Sequence, residues 1–76
     1  MERKDTTYEV WGDKGVVKTF LLCPDNRWWS VWTQIPLERF KNKTQTEKRE
    51  IVNQEVDKEC ARFIADFGKH QGNGAQ

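Results

Sequence analysis

The chain has few of the residues from which active sites and metal centres are built. Its one histidine, His70, lies in a polar C-terminal stretch that offers no scaffold to orient it. The two cysteines, Cys23 and Cys60, lack the spacing of zinc ligands. Gly12 and Gly15 precede a predicted strand, not a helix, so they do not form a phosphate-binding loop. We therefore expect a protein that is not an enzyme and holds no metal or cofactor.

Long apolar runs and an excess of one charge are also missing. No stretch approaches the roughly 18 apolar residues of a membrane span. No apolar segment follows the charged N-terminus MERKD, so we expect no signal peptide. Free thiols without a secretion signal indicate a cytoplasmic protein. The formal net charge of +1 argues against attraction of the whole molecule to nucleic acid.

The sequence does contain three β-type segments followed by one amphipathic helical segment. We predict strands at residues 6–11, 16–23 and 27–35, with residues 1–5 frayed. The fold class is therefore α+β: a three-stranded antiparallel sheet, made of two hairpins, packed on one C-terminal helix (βββα). The 76 residues form one small domain at residues 1–69, followed by a disordered tail at residues 70–76.

The predicted helix has clear start and stop signals. Thr44 and Glu47 form a capping box, in which each side chain bonds the other residue's backbone N–H. We expect the helix to end near Phe67, with Gly68 as its cap. A short helical turn at 36–40 precedes it. One apolar stripe should face the sheet. It comprises Val52, Val56, Cys60, Phe63 and Phe67, flanked by Ile51 and Ile64.

Turn residues set the predicted strand register. The segment GDKG is interpreted as a four-residue turn that places Trp11 opposite Val16 and Glu9 opposite Lys18. The segment PDN is interpreted as a three-residue loop with Asn26 in the left-handed conformation. This second loop places Leu22 opposite Trp28 and Lys18 opposite Trp32. The third strand, RWWSVWTQI, is expected to be central because both of its faces are apolar.

Alternation along the strands assigns one face to the core and leaves a second apolar face. The core face carries Tyr8, Val10, Val17, Leu21, Cys23, Trp29, Val31 and Ile35. Trp29 is expected to be buried, and both cysteines are interpreted as small buried apolar residues, with a redox-sensitive bridge as the alternative. The second face carries Trp11, Val16, Phe20, Leu22, Trp28 and Trp32 among polar residues. Such a patch is larger than soluble monomers usually expose.

Three interpretations of the second face remain open. The sheet curls or residues 36–43 fold across it, completing the core. A protein partner or a second copy of the chain covers it, because tryptophan and arginine dominate interface hot spots. Nucleic acid bases stack on it. The protein-binding interpretation is favoured and selects one set of residues. They are Trp11, Lys18, Phe20, Leu22, Arg27, Trp28 and Trp32.

The nucleic-acid interpretation is the alternative function. It adds a basic segment at the start of the helix, which suits phosphate. That segment comprises Arg39, Lys41, Lys43, Lys48 and Arg49. The order of elements is similar to that of integrase arm-binding domains, although no motif is shared. The small, motif-poor chain also resembles phage and mobile-element accessory proteins, which implies an inhibitor or modulator of host proteins.

Overall fold

The computed structural model describes the backbone of residues 2–74 and the side chains of residues 2–67. Three strands form one antiparallel sheet, and a short 3-10 helix connects it to a single α-helix. The elements are β1 (Arg3–Trp11), β2 (Lys14–Leu22), β3 (Trp28–Pro36), the 3-10 helix (Leu37–Phe40) and α1 (Gln45–Gly74). The predicted βββα class is confirmed.

The strand order is β1-β2-β3, so β2 is the central strand. The expectation that the tryptophan-rich segment is central was therefore wrong. Two consecutive hairpins always place the middle segment of three between the other two. β3 is thus an edge strand with two apolar faces. α1 packs mainly on one of these faces, and the other remains uncovered.

The first hairpin is tighter than predicted. Its register places Trp11 opposite Lys14 and Glu9 opposite Val16, so the loop contains only Gly12 and Asp13. Gly12 has a φ of +65°, which glycine adopts without strain in a two-residue loop. The predicted pairs were wrong by two residues. Because side chains alternate with a period of two, the predicted faces remain correct.

The second hairpin has the predicted register. Leu22 pairs with Trp28 and Lys18 pairs with Trp32. The Cys23 N–H donates to the Arg27 carbonyl at 2.9 Å, which closes the loop. Asn26 has a φ of +66°, the left-handed conformation expected at this position.

Residues 3–5 are part of the sheet, in contrast to the prediction that residues 1–5 are frayed; residue 1 lies outside the described part of the chain. β1 begins at Arg3, which pairs with Leu21. An irregularity between Lys4 and Thr7, where Asp5 has a φ of +53°, adds a residue to β1 and shifts the register. Arg3 also forms an ion pair with Asp57 of α1 at 2.9 Å. The hydrophobic pattern could not predict this part of the strand because its residues are charged.

Helix α1 begins with the predicted capping box. The Thr44 N–H donates to the Glu47 carboxylate at 2.9 Å, and the Glu47 N–H donates to Thr44 Oγ1 at 3.1 Å. The hydrogen bond from the Thr44 backbone lowers the pKa of Glu47. The helix extends to Gly74, past the predicted end near Phe67. The side chains of the predicted tail, residues 70–76, lie outside the described part of the chain.

The core lies between α1 and the sheet face that it covers. All of its fully buried members come from β2, β3, α1 and Cys23. They are Val17, Leu21, Cys23, Val31, Ile35, Val56 and Cys60. The rest of the predicted helix stripe packs around them, partly buried. Both cysteines are free, and burial raises the pKa of each thiol.

Three large residues predicted for the core face are half-exposed. Trp29 is 41% exposed, because it lies beside α1 against Phe63 and Phe67 and not beneath the helix. Its indole N–H donates to Asp25 at 3.1 Å. Tyr8 and Val10 are exposed because α1 packs mainly on β3 and to a lesser extent on β2. The prediction of a buried Trp29 was therefore wrong.

Candidate functional site

The sheet face opposite α1 is formed by alternate residues of all three strands, and we call it the uncovered face. Strand register assigns each member. From β1 they are Lys4, Thr7, Glu9 and Trp11; from β2, Lys14, Val16, Lys18, Phe20 and Leu22; from β3, Trp28, Ser30, Trp32 and Gln34. Each is a short step from its register partner, so the large side chains of neighbouring strands meet.

Trp11 and Trp32 contact each other at one end of this face. Their ring centroids are 5.9 Å apart at an angle of 43°. Trp11 is 53% exposed and Trp32 is 48% exposed, so both rings present large apolar areas to solvent. The Trp11 indole N–H donates to Glu9 at 3.2 Å, which fixes the ring's orientation. Val16 of the central strand lies on the same face and is only 3% exposed.

Lys18 joins this tryptophan pair to Phe20. Its ammonium nitrogen lies 5.5 Å from the Trp32 ring and 5.1 Å from the Phe20 ring, within cation–π range. The contact between Lys18 and Trp32 was predicted from the hairpin register. A second cation–π contact lies at the other end of the face, where Lys4 is 4.3 Å from the Trp28 ring.

A shallow depression of about 320 Å³ lies beside Trp32. Val16 is among its lining residues, and Glu9 and Lys18 supply groups of opposite charge. It can accept an apolar side chain and offer a polar group on either side of it. Trp32 lines this depression while the uncovered part of its ring extends the apolar surface beyond it.

Residues 36–43 do not fold across the uncovered face. The 3-10 helix packs on the side of the sheet where α1 lies. There Phe40 meets Tyr8 edge to face at 6.5 Å, and Arg39 donates to Glu55 of α1 at 2.7 Å. The interpretation that this segment completes a core over the tryptophans was therefore wrong.

The structure brings six of the seven predicted protein-binding residues onto one face. Arg27 is the exception, because it precedes β3 at the loop end, opposite Cys23. Lys4 belongs to the uncovered face but was missed, since residues 1–5 were predicted to be frayed. Alternation alone would not have found it, because the extra residue between Lys4 and Thr7 moves Lys4 from the covered to the uncovered face.

The predicted basic segment is not one surface. Arg39 is paired with Glu55, and the hydrogen bond from Arg39 lowers the pKa of that carboxyl. Lys41 and Lys43 line two different depressions. Lys48 and Arg49 lie on α1 beside a third cavity. Because α1 packs on the opposite side of the sheet, Lys48 and Arg49 do not adjoin the tryptophan pair.

The described part of the chain contains neither a candidate metal site nor a candidate membrane-spanning helix. Among those residues, no cluster of three or more histidine, cysteine, aspartate or glutamate side chains could hold a metal ion. No helix there is both long and apolar enough to span a membrane.

Comparison with models of known protein families, with curated proteins and with solved structures gives no match. The proposed function therefore rests on the geometry of the uncovered face.

Proposed function

We propose that this protein is a small, non-enzymatic binding module that docks a protein partner on the uncovered face. The observation that carries the proposal is the half-exposed Trp11–Trp32 pair beside a depression that Glu9 and Lys18 line. Tryptophan is among the residues most enriched in interface hot spots, and such residues cluster at the centre of an interface.

The apolar area of this face is costly when it faces water. Fully burying a large side chain contributes about 1.5–3 kcal/mol relative to leaving it exposed. In a small domain that buries only roughly 60% of its unfolded surface, large aromatics would contribute most inside the core. Here Trp11 and Trp32 remain half-exposed while the core is built from smaller residues. This use of tryptophan favours a role in binding over a role in folding.

Charge on the uncovered face indicates the partner's chemistry. At paired strand positions this face carries four charged residues: three lysines, Lys4, Lys14 and Lys18, and one glutamate, Glu9. Each lysine is next to an aromatic residue, through a ring contact or through register. The face suits a protein surface that presents an apolar side chain flanked by carboxylates.

Nucleic acid is less well supported as the partner. Stacked bases require free ring faces, whereas lysine ammonium groups lie near the rings of Phe20, Trp28 and Trp32. Lys48 and Arg49 lie on the other side of the sheet from the tryptophan pair, so phosphate contacts there would not extend a strand stacked on it. A role as a phage or mobile-element modulator of host proteins stays a prediction from size and composition.

The test uses the full chain as bait in lysate from its own source cells, with quantification of what is bound. Trp32→Ala and Lys18→Glu are compared with the wild type and with Val10→Ala. Val10 is a matched control because it is also exposed but lies on the other side of the sheet. We expect one partner to be lost with both face variants and retained with Val10→Ala.

Two further measurements separate the other occupants. Sedimentation of the wild type and Trp32→Ala tests whether a second copy covers the face. Anisotropy titrations with single- and double-stranded oligonucleotides at low salt test nucleic acid. Concentration-dependent dimerisation that Trp32→Ala abolishes, or oligonucleotide binding that it abolishes, would replace the protein-partner proposal. Equal recovery of every protein by all variants would refute it.

A further inference from the structure

A second concave site lies on the other side of the sheet, at the corner that α1 leaves open. It is a cavity of about 460 Å³ between β1, the 3-10 helix and the start of α1. Its apolar wall consists of Tyr8, Leu37, Phe40 and Val52. Small-molecule pockets typically measure about 300–1,000 Å³ and are mostly apolar with a few polar groups. The cavity has the size and lining of such a pocket.

One wall of the cavity is formed by the Tyr8 side chain, which lies close to Gly15 of the neighbouring strand. The Tyr8 ring lies over Gly15 of β2, so near that a Cβ atom at Gly15 would lie 2.6 Å from the Tyr8 hydroxyl oxygen. The same ring meets Phe40 edge to face at 6.5 Å. Gly15 therefore provides the space in which Tyr8 lies across the sheet and forms one side of the cavity.

Two cations, Lys48 and Arg49, line the same cavity. In the part of the chain whose side chains are described, neither forms an ion pair. The other three arginines that contact α1 or lie on it, Arg3, Arg39 and Arg62, each have a carboxylate partner. Among the residues whose side chains are described, no acidic residue lines the cavity. An apolar wall beside two uncompensated cations is complementary to a ligand that is apolar at one end and negative at the other.

We infer that this cavity binds a small amphipathic anion, with an apolar chain or ring and one carboxylate. The apolar part packs against Tyr8, Phe40 and Val52. The carboxylate accepts hydrogen bonds from Lys48 and Arg49, and the guanidinium can bind it through two parallel bonds. The site is on the opposite side of the sheet from the uncovered face, so it does not depend on the proposed function.

The test is a titration of the full chain with decanoate, followed by amide and indole N–H signals in two-dimensional NMR spectra. We expect saturable shifts at the amides of Phe40 and Val52. The indole signals of Trp11 and Trp32 report on the uncovered face and should stay unchanged. Decanol and decyltrimethylammonium share the chain but lack the carboxylate, so we expect both to bind more weakly by at least about tenfold, equal to about 1.4 kcal/mol.

Two double variants distinguish the effect of Lys48 and Arg49 on decanoate binding from the effect of the protein's net charge. Lys48→Gln with Arg49→Gln should weaken decanoate binding by at least about tenfold, because hydrogen bonds to charged groups are lost. Lys41→Gln with Lys43→Gln removes the same charge from residues that do not line the cavity and should leave the affinity nearly unchanged. The inference is overturned if decanoate gives no saturable shifts, if shifts fall on the indoles instead, if the neutral and cationic analogues bind equally well, or if the two double variants weaken binding equally.

Discussion

The two faces of the sheet use the same three strands in opposite ways. On the face that α1 covers, β2 and β3 contribute Val17, Leu21, Val31 and Ile35 together with two threonines, all nearly fully buried. On the uncovered face the same strands and β1 contribute tryptophans and lysines, and Trp11 and Trp32 remain half-exposed. The largest apolar side chains are thus on the outside of the molecule.

The difference shows that the position of the helix stripe decides which face becomes core. α1 presents Val56 and Cys60, two small residues, and medium-sized strand residues fill the layer beneath them. Even Trp29, the tryptophan on the covered side, lies beside the helix against Phe63 and Phe67 and is not buried beneath it. Hydrophobicity alone would have placed every tryptophan inside.

Truncating an apolar side chain should destabilise the protein far more on the covered face than on the uncovered face. Ile35→Ala removes a fully buried side chain and should lower the free energy of unfolding by about 2–5 kcal/mol. Trp32→Ala should cost less, because about half of the Trp32 side chain is already exposed in the folded protein; the lost contact with Trp11 accounts for about 0.5–1.5 kcal/mol of the cost. Urea melts of both variants measure this contrast. Equal losses would mean that the uncovered face is part of the core.

The two buried threonines of the covered face differ in their hydrogen bonding. Thr19 Oγ1 lies 2.7 Å from Thr6 Oγ1, whereas Thr33 Oγ1 has no hydrogen-bond partner within the described part of the chain. Replacement by valine keeps the shape and removes the hydroxyl. Thr19→Val should destabilise by about 1–2 kcal/mol and Thr33→Val should stabilise by about 1 kcal/mol. Urea melts that gave the same sign for both variants would contradict this assignment.

A double-mutant cycle measures how far the uncovered face stabilises itself. Trp11→Ala, Trp32→Ala and the double variant should give a coupling free energy of about 0.5–1.5 kcal/mol, typical of an aromatic pair. The same cycle between Trp32 and Val10, which lies on the other side of the sheet, should give a value near zero. Coupling near zero in both cycles would show that the two indoles do not pack in solution.

The smallest expected effect concerns the ion pair that keeps residues 36–43 on the covered side. Arg39 holds the pKa of Glu55 below its ordinary value, so this pair stabilises the fold above the unfolded-state pKa, about 4.3. Its contribution is lost as the pH falls through the lower, folded-state value. The advantage of the wild type over Glu55→Gln in urea melts should therefore shrink between neutral pH and acid.

Glu50→Gln is the matched control for this pH series. Glu50 is an exposed glutamate of the same helix that forms no ion pair with any described side chain. The difference in stability between the wild type and Glu50→Gln should be small at neutral pH and change little on acidification. A Glu55 series that was as flat as the Glu50 series would mean that the Arg39 contact adds no stability.

The fold was predictable from the sequence because its signals are local. Alternation marked the strands, the Thr44–Glu47 capping box marked the helix start, and Asn26 set the second hairpin. The first turn gave the wrong register because GDKG fits both a two-residue and a four-residue loop. The start of β1 was missed because its stability comes from pairing with β2 and from the Arg3–Asp57 ion pair, not from apolar residues.

The candidate site was predictable in its residues but not in its exposure. Register correctly brought Lys18 to Trp32, whereas the contact of Trp11 with Trp32 crosses the central strand and depends on side-chain direction. Whether the face was covered depended on residues 36–43, whose position is set by the Phe40–Tyr8 and Arg39–Glu55 contacts. The cavity beside Lys48 and Arg49 joins three separate segments, so no local pattern could mark it.

Photo-crosslinking from the uncovered face shows directly whether a partner protein binds there. Ser30, exposed and paired with Phe20 on that face, is replaced by p-benzoylphenylalanine, and exposed Val10 on the other side is replaced in a parallel sample. We expect one protein adduct from position 30 that disappears when Trp32→Ala is also present, and no such adduct from position 10. Adducts of equal yield from both positions, or an adduct at position 30 that persists without Trp32, would contradict the claim that the uncovered face binds the partner.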